Sequence, residues 1–260
     1  MVKLIKFIIV VLGIFLFSCS GNKLNDGRFG LPDFSKAMNY FEKEKYMRAK
    51  EEFKYIILED PLSQHANDAQ FYLGECNFYQ ENYNEAIIEY EKYLRMAYQR
   101  YSLSQKAQIN LCRSYSNQSL YFKKDQSGTN LALTKLQYFI EKESMEDYKS
   151  EIESMIKDLR EKIAKKEFET AKFYIRIKEY ESSKMYFNNV LNEFYDTKFI
   201  ESSILNLALL ECVLSKENAL EIINSNKASF SSDENYLKSI QLIKDLNSNE
   251  KIDYYLKFIE

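Results

Sequence analysis

Ala37, Tyr46, Ala49, Phe53 and Ile57 are followed, each 37 positions later, by Gly74, Tyr83, Ala86, Tyr90 and Leu94. The order is small, aromatic, small, aromatic, aliphatic. Its physical reason is steric: a small residue where two helices cross lets the backbones approach, and the aromatic fills the gap beside it. Such a unit is a helix-turn-helix that cannot bury its own apolar face, so it folds only by stacking against its neighbours. Composition agrees, with six Gly and two Pro in 260 residues where average usage would give roughly eighteen and thirteen. Few strand and turn punctuators remain, and the chain reads as all-α.

The repeat continues with less regularity. A third unit begins near Gln105, with Cys112 at the small place and Tyr115 one turn on. Its second helix is displaced by a polar loop from Asn117 to Asn130, after which the period resumes at Ala132, Leu136 and Phe139. In the fourth unit Ala171, Tyr174, Tyr180, Ser183, Phe187 and Leu191 reproduce the spacing. Its first helix is expected to start far upstream, near Tyr148, because Ile152, Ile156, Leu159, Ile163 and Ala164 keep a helical period. A fifth unit, from Glu201 through Leu207, Ala208 and Ala219 to Ile223, is poorer in aromatics and reads as a cap. Tyr236, Ile240, Ile243 and Leu246 predict a last helix opened by Ser232 or Asp233. The expected architecture is a superhelical array of about five hairpins over residues 31–63, 64–100, 101–143, 144–197 and 198–260.

The N-terminus carries a different signal. Lys3 and Lys6 precede an apolar run from Phe7 to Phe17, then Ser18 and Cys19. That is the layout of a signal peptide over residues 1–18; the run is too short for a membrane span, which needs about twenty apolar residues. Leu16-Phe17-Ser18-Cys19 resembles the bacterial lipobox, which implies cleavage before Cys19 and a lipid on its thiol. The alternative is an ordinary secretory signal with an incidental Cys. Acyl chains at about 0.8 kcal/mol per buried methylene make such an anchor effectively permanent. Ser20, where inner-membrane lipoproteins typically have Asp, points to the outer membrane. Residues 19–30 are polar and aperiodic and read as a lipidated, flexible tether, leaving 31–260 as the folded part.

Charge and chemistry exclude several function classes. Lys and Arg number 36 against 39 Asp and Glu, without a basic block, so nucleic acid is not an expected partner. Cys76, Cys112 and Cys212 are an odd set outside any CxxC motif; they read as small buried apolar residues, with a disulfide as the alternative. His65, the single histidine, lies beside Pro61 and is expected on a surface loop, so no metal site is expected. No HExxH, GxSxG or phosphate-cradling loop occurs. Neighbouring carboxylates such as Glu51 and Glu52 sit on charged helix faces. The expectation is a non-enzyme with no cofactor beyond the lipid on Cys19. A rival enzyme reading would place its site in 117–130, a stretch without His, Cys or Glu.

The small-Tyr-small-Phe order, with Pro61 at the first junction, resembles tetratricopeptide repeats. A narrower likeness runs through Asp60-Pro61-Leu62-Ser63, Ala66, Ala69-Gln70, Tyr83, Ala86-Ile87 and Tyr93-Leu94. It resumes at Leu159-Arg160, Ile163-Ala164, Glu167, Ala171, Phe173-Tyr174, Tyr180, Phe187, Val190-Leu191 and Thr197. With the lipobox, these residues resemble the BamD family, lipoproteins of the outer-membrane β-barrel assembly machinery. The junction Pro of that family is absent at Tyr98, near Glu143 and at Tyr195, and Lys178 stands where Gly is common. The resemblance implies a scaffold on the periplasmic face of the outer membrane. Its C-terminal repeats would bind the barrel-forming assembly protein, a BamA-like chain with periplasmic POTRA domains, and its N-terminal repeats unfolded outer-membrane proteins. The alternative within the class is a different periplasmic repeat lipoprotein, serving cell division or polysaccharide export.

In this repeat type the first helix of each pair lines the groove. The implied positions are Phe34, Met38 and Phe41 in unit one and Asp68, Phe71, Glu75 and Phe78 in unit two, an apolar stretch suited to an extended client peptide. In units three and four they are Lys106, Ile109, Arg113, Lys165, Phe168 and Lys172, a cationic face suited to a folded partner. The competing reading is that the aromatics pack against one another or the tether and the lysines are simply solvated.

Overall fold

A computed structural model describes residues 33–96, 100–214 and 218–247. The signal segment 1–18, Cys19 and the tether 19–30 lie outside the described residues. Eleven α-helices are present among those described: α1 (Phe34–Glu42), α2 (Tyr46–Glu59), α3 (Gln64–Tyr79), α4 (Tyr83–Leu94), α5 (Tyr101–Gln118), α6 (Ser127–Ile140), α7 (Lys149–Arg176), α8 (Tyr180–Glu193), α9 (Ile200–Leu214), α10 (Ala219–Ser225) and α11 (Asp233–Asn247). Consecutive helices pack as five antiparallel hairpins closed by α11. The first helices of successive units also touch, α1 on α3, α3 on α5 and α5 on α7. They therefore lie at the inner radius of the array.

The repeat signature is buried as its sterics require. Ala37, Ala49 and Phe53 of unit one, Ala86 and Tyr90 of unit two, and Ala171, Ser183 and Phe187 of unit four are fully enclosed. Ser183 resolves the polarity of its hydroxyl by donating to Ala171 O at 2.9 Å. Gly74 has no room for a side chain: a Cβ there would lie 2.5 Å from Tyr90 Cε1.

Three hairpin turns share one geometry. Glu44, Glu81 and Lys178 have φ of 56°, 60° and 65°. Each closes its helix by donating its N–H three residues back, to Phe41, Phe78 and Ile175 O. The next N–H reaches five back, from Lys45 to Tyr40, Asn82 to Asn77 and Glu179 to Tyr174, all at 2.9 Å. This is the Schellman closure, which normally recruits glycine. Here three ordinary L-residues occupy the left-handed position in the same register. Lys178, one of the departures noted in the sequence, is among them.

Elsewhere caps set the boundaries. Asp33 accepts from the N–H groups of Ser35 and Lys36 at the start of α1. Ser63 accepts from Ala66 N at 3.0 Å, opening α3 just after Pro61. Ser232 Oγ accepts from Asn235 N at 3.2 Å, so Ser232 caps α11. On that helix Ile243 and Leu246 are buried, with Tyr236 and Ile240 packed partly against the same core.

Two expectations need correction. The polar loop of unit three spans 119–126, not 117–130, because Asn117 and Gln118 continue α5 and Ser127 already begins α6. Buried Gln126 holds it by donating to the carbonyls of Tyr121 and Lys124 at 3.1 Å, and Phe122 plugs it with 6% exposure. His65 lies not on a loop but exposed in the first turn of α3, its ring 5.4 Å from that of Phe34. The long first helix of unit four starts at Lys149, directly after Tyr148. It serves two cores: Ile152 and Leu159 belong to the central cluster with Phe71 and Tyr90, while Ala171 and Ile175 belong to the C-terminal cluster with Phe187 and Leu210. No helix among the described residues is long and apolar enough to cross a membrane.

Candidate binding groove

Helix α3 sits in the middle of the N-terminal half and touches α1, α2, α4 and α5. Eleven of its sixteen residues are buried, so positions that spacing assigns to an open groove are partly enclosed. Phe71 is the clear case. It is 2% exposed and packs on Tyr72, Tyr93 and Tyr90 at ring separations of 5.2, 5.6 and 6.1 Å. It is a core residue, not a groove lining, because α4 lies over it.

The remaining N-terminal aromatics pack chiefly on one another. Phe34 meets Phe53 at 5.8 Å and Tyr72 at 6.0 Å. Phe41 meets Tyr46, Tyr72 and Tyr79 at 5.7, 5.2 and 6.0 Å, and Tyr46 stacks on Tyr79 at 10° between planes. Phe78 meets Tyr79 and Tyr83. Phe34, Met38, Phe41 and Phe78 are each half-buried in this way. The result is an aromatic rib with partly open edges rather than an empty apolar slot.

Beyond the rib runs a polar seam that spacing did not reveal. Glu75, 8% exposed, accepts from Tyr90 Oη at 2.5 Å and from Asn110 Nδ2 at 2.6 Å. Asn110 Oδ1 in turn accepts from Arg113 Nη1 at 2.7 Å, and Arg113 forks onto Glu151 through Nε and Nη2 at 2.6 and 2.9 Å. One chain of hydrogen bonds thus crosses α4, α3, α5 and α7 and ties units two, three and four. Burial pushes the Glu75 carboxyl above its ordinary range, opposed by the bonds from Tyr90 and Asn110 and by the charges of Lys106 and Arg113. The same burial, with Glu75 beside it, raises the Tyr90 phenol. A second buried carboxylate, Asp68, pairs with Arg100. The available signal was a pair of acids, Asp68 and Glu75, seven residues apart within an otherwise uncharged helix.

The cationic positions fall into two groups. Lys106 is exposed on α5, one face with Arg113, whose guanidinium is occupied by Glu151; Ile109, between them, is 2% exposed. On α7, Lys165 Nζ lies 4.3 Å over the Phe122 ring, Phe168 packs on Phe187 and Phe199, and Lys172 lies 5.8 Å from Phe168.

Cys76, Cys112 and Cys212 are free and buried, and burial pushes their thiols up to about 12, 12 and 11. Among the described residues no group of three or more His, Cys, Asp or Glu could hold a metal.

Stacked hairpins with their first helices at the inner radius, bound by small-aromatic contacts, define a tetratricopeptide-type helical array. Residues 33–229 match the YfiO family, described as an outer membrane lipoprotein. The chain belongs to that family, the BamD family of lipoproteins anticipated from its repeats. No curated protein gives a significant match to it.

Proposed function

We propose that this protein is a lipid-anchored scaffold of the outer-membrane β-barrel assembly machinery, attached through Cys19 at the periplasmic face. It holds the barrel-forming assembly protein through its C-terminal units and unfolded outer-membrane clients along its N-terminal units. The observation that carries this reading is family membership over 33–229, which spans all five hairpins. The groove supports it in a specific way. The half-buried edges of Phe34, Met38, Phe41 and Phe78 offer apolar contact to an extended segment, while Lys106 keeps an exposed cation at the seam. Binding and positioning are the whole of the activity, with no catalytic step and no cofactor besides the lipid.

The test is affinity capture from detergent-solubilised membranes with mass-spectrometric identification. The barrel-forming assembly protein is the expected major partner. Its consistent absence, with cell-division or polysaccharide-export proteins in its place, would overturn the assignment.

A further inference from the structure

Among the described residues several cations pair with carboxylates between helices: Lys36 with Glu52, Arg100 with Asp68, Arg113 with Glu151, Arg160 with Asp196, Lys184 with Glu211 and Lys198 with Glu161. Other lysines meet neutral groups singly, as Lys50 does with Asn77 and Gln80 and Lys142 with Tyr138, and at one place several are clustered. Where loop 119–126 rests on the middle of α7, three lysines within two turns have neutral partners. Lys162 Nζ donates to Ser119 Oγ at 2.8 Å and to Ser119 O at 3.3 Å. Lys166 Nζ donates to Lys124 O at 3.0 Å, and Lys165 lies over the Phe122 ring. The loop itself adds Lys123 and Lys124, both exposed.

The nearby carboxylates are directed elsewhere. Asp125 accepts from the N–H and hydroxyl of Ser127, Glu161 is taken by Lys198 and Glu167 by Asn189. Asp158 acts on Lys162 only through space, against the burial that lowers that ammonium's affinity for its proton. Five cations are therefore gathered against the charges of Asp125 and Asp158, none of the five in a direct ion pair named above, which leaves the patch net positive in a chain whose net charge is -3. Beside them the same loop exposes two large apolar side chains, Leu120 at 56% and Tyr121 at 61%. Tyr121 rests on the ring of buried Phe122 at 4.5 Å and keeps its outer face open.

We propose that loop 119–126 with Lys162, Lys165 and Lys166 is a membrane-contact site for anionic phospholipid headgroups. The lysines meet the phosphates, and Leu120 and Tyr121 enter the boundary between headgroups and acyl chains. The proposal rests on the lipid-anchored reading given above. An anchor that already holds the molecule at the surface makes a small patch sufficient, and the patch then sets which side of the array faces the lipid.

The test is hydrogen exchange of residues 119–126 in the full lipidated chain, on vesicles of phosphatidylcholine alone and with added phosphatidylglycerol. Exchange slows about thirtyfold with phosphatidylglycerol, as expected for two lysines near an anionic surface. High salt and the exposed-site variant Lys123→Glu/Lys124→Glu remove the effect. Equal exchange on both vesicle types overturns the proposal. So does slowing by inorganic phosphate or a polyglutamate peptide without a vesicle effect, which would assign the patch to a free anion or an acidic protein. Flotation with neutral vesicles reads the anchor by itself, and the absence of any partner keeps this outcome separate from that of the affinity capture.

Discussion

Tyr90 Oη donates a 2.5 Å hydrogen bond to the buried carboxylate of Glu75, joining the aromatic that closes hairpin two to the polar seam of the inner helices. The bond links two demands on one side chain. Tyr90 must fill the space beside Gly74, as Phe53 does for Ala37 and Phe187 for Ala171, and its hydroxyl must satisfy an acid that is 8% exposed. Replacing Tyr90 by Phe keeps the ring and removes the donor. We expect a loss of about 2 kcal/mol, the range for a hydrogen bond to a charged group.

The loss depends on pH with a defined sign. Because the folded-state pKa of Glu75 is raised, its favourable contribution is full below the unfolded carboxylate range and is lost as pH rises through the folded value. The Tyr90 bond lowers that pKa, so Tyr90→Phe raises it further and enlarges the loss. Urea unfolding of both proteins from acid to neutral pH should show a gap that widens as pH rises. A gap independent of pH would contradict the ionised pairing.

Gly74→Ala sets helix propensity against packing. Alanine is favoured in a helix interior by up to about 1 kcal/mol, but its Cβ would stand 2.5 Å from the Tyr90 ring. Overpacking of this kind costs about 1–3 kcal/mol, and the displaced ring also strains the bond to Glu75. We expect net destabilisation by about 1–2 kcal/mol, measured by denaturant midpoint. A stabilised variant would show that the ring moves freely.

The three left-handed turn residues predict the reverse outcome for glycine. Glu44→Gly, Glu81→Gly and Lys178→Gly each relieve a Cβ contact with the neighbouring carbonyl. The left-handed cost of about 1–2 kcal/mol, less about 0.5–1 kcal/mol for glycine's greater freedom in the unfolded chain, leaves each a stabilisation of about 0.5–1 kcal/mol, and the effects should add because the sites lie in separate hairpins. Thermal and urea unfolding of the triple variant, compared with the singles, checks both parts.

Client contact is best tested at the rib's open edge. Phe71→Ser removes a ring that is 2% exposed and should cost about 3–5 kcal/mol of stability, so lost crosslinking there would report unfolding. Phe78→Ser with Met38→Ser alters half-buried positions. These should reduce photocrosslinking to an unfolded outer-membrane protein several-fold with helicity retained by circular dichroism. Unchanged crosslinking would remove the rib from the client path.

The amino-acid order by itself determined the hairpins. The small-aromatic spacing is a local steric code between two helices joined by a short turn, so Ala37 with Phe53, Ala171 with Phe187 and the long helix beginning after Tyr148 could all be placed from periodicity. The tertiary structure decided what lies between units. Glu75 meets Asn110 across 35 residues, Arg113 meets Glu151 across 38 and Lys162 meets Ser119 across 43. Those contacts depend on how far each hairpin is rotated against the next. That rotation is the sum of many side-chain packings rather than the property of any one spacing. It also turned Phe71, Asp68 and Glu75 into the interior and left only Phe78 of the α3 groove positions half-buried, because α4 and α5 cover that face of the helix.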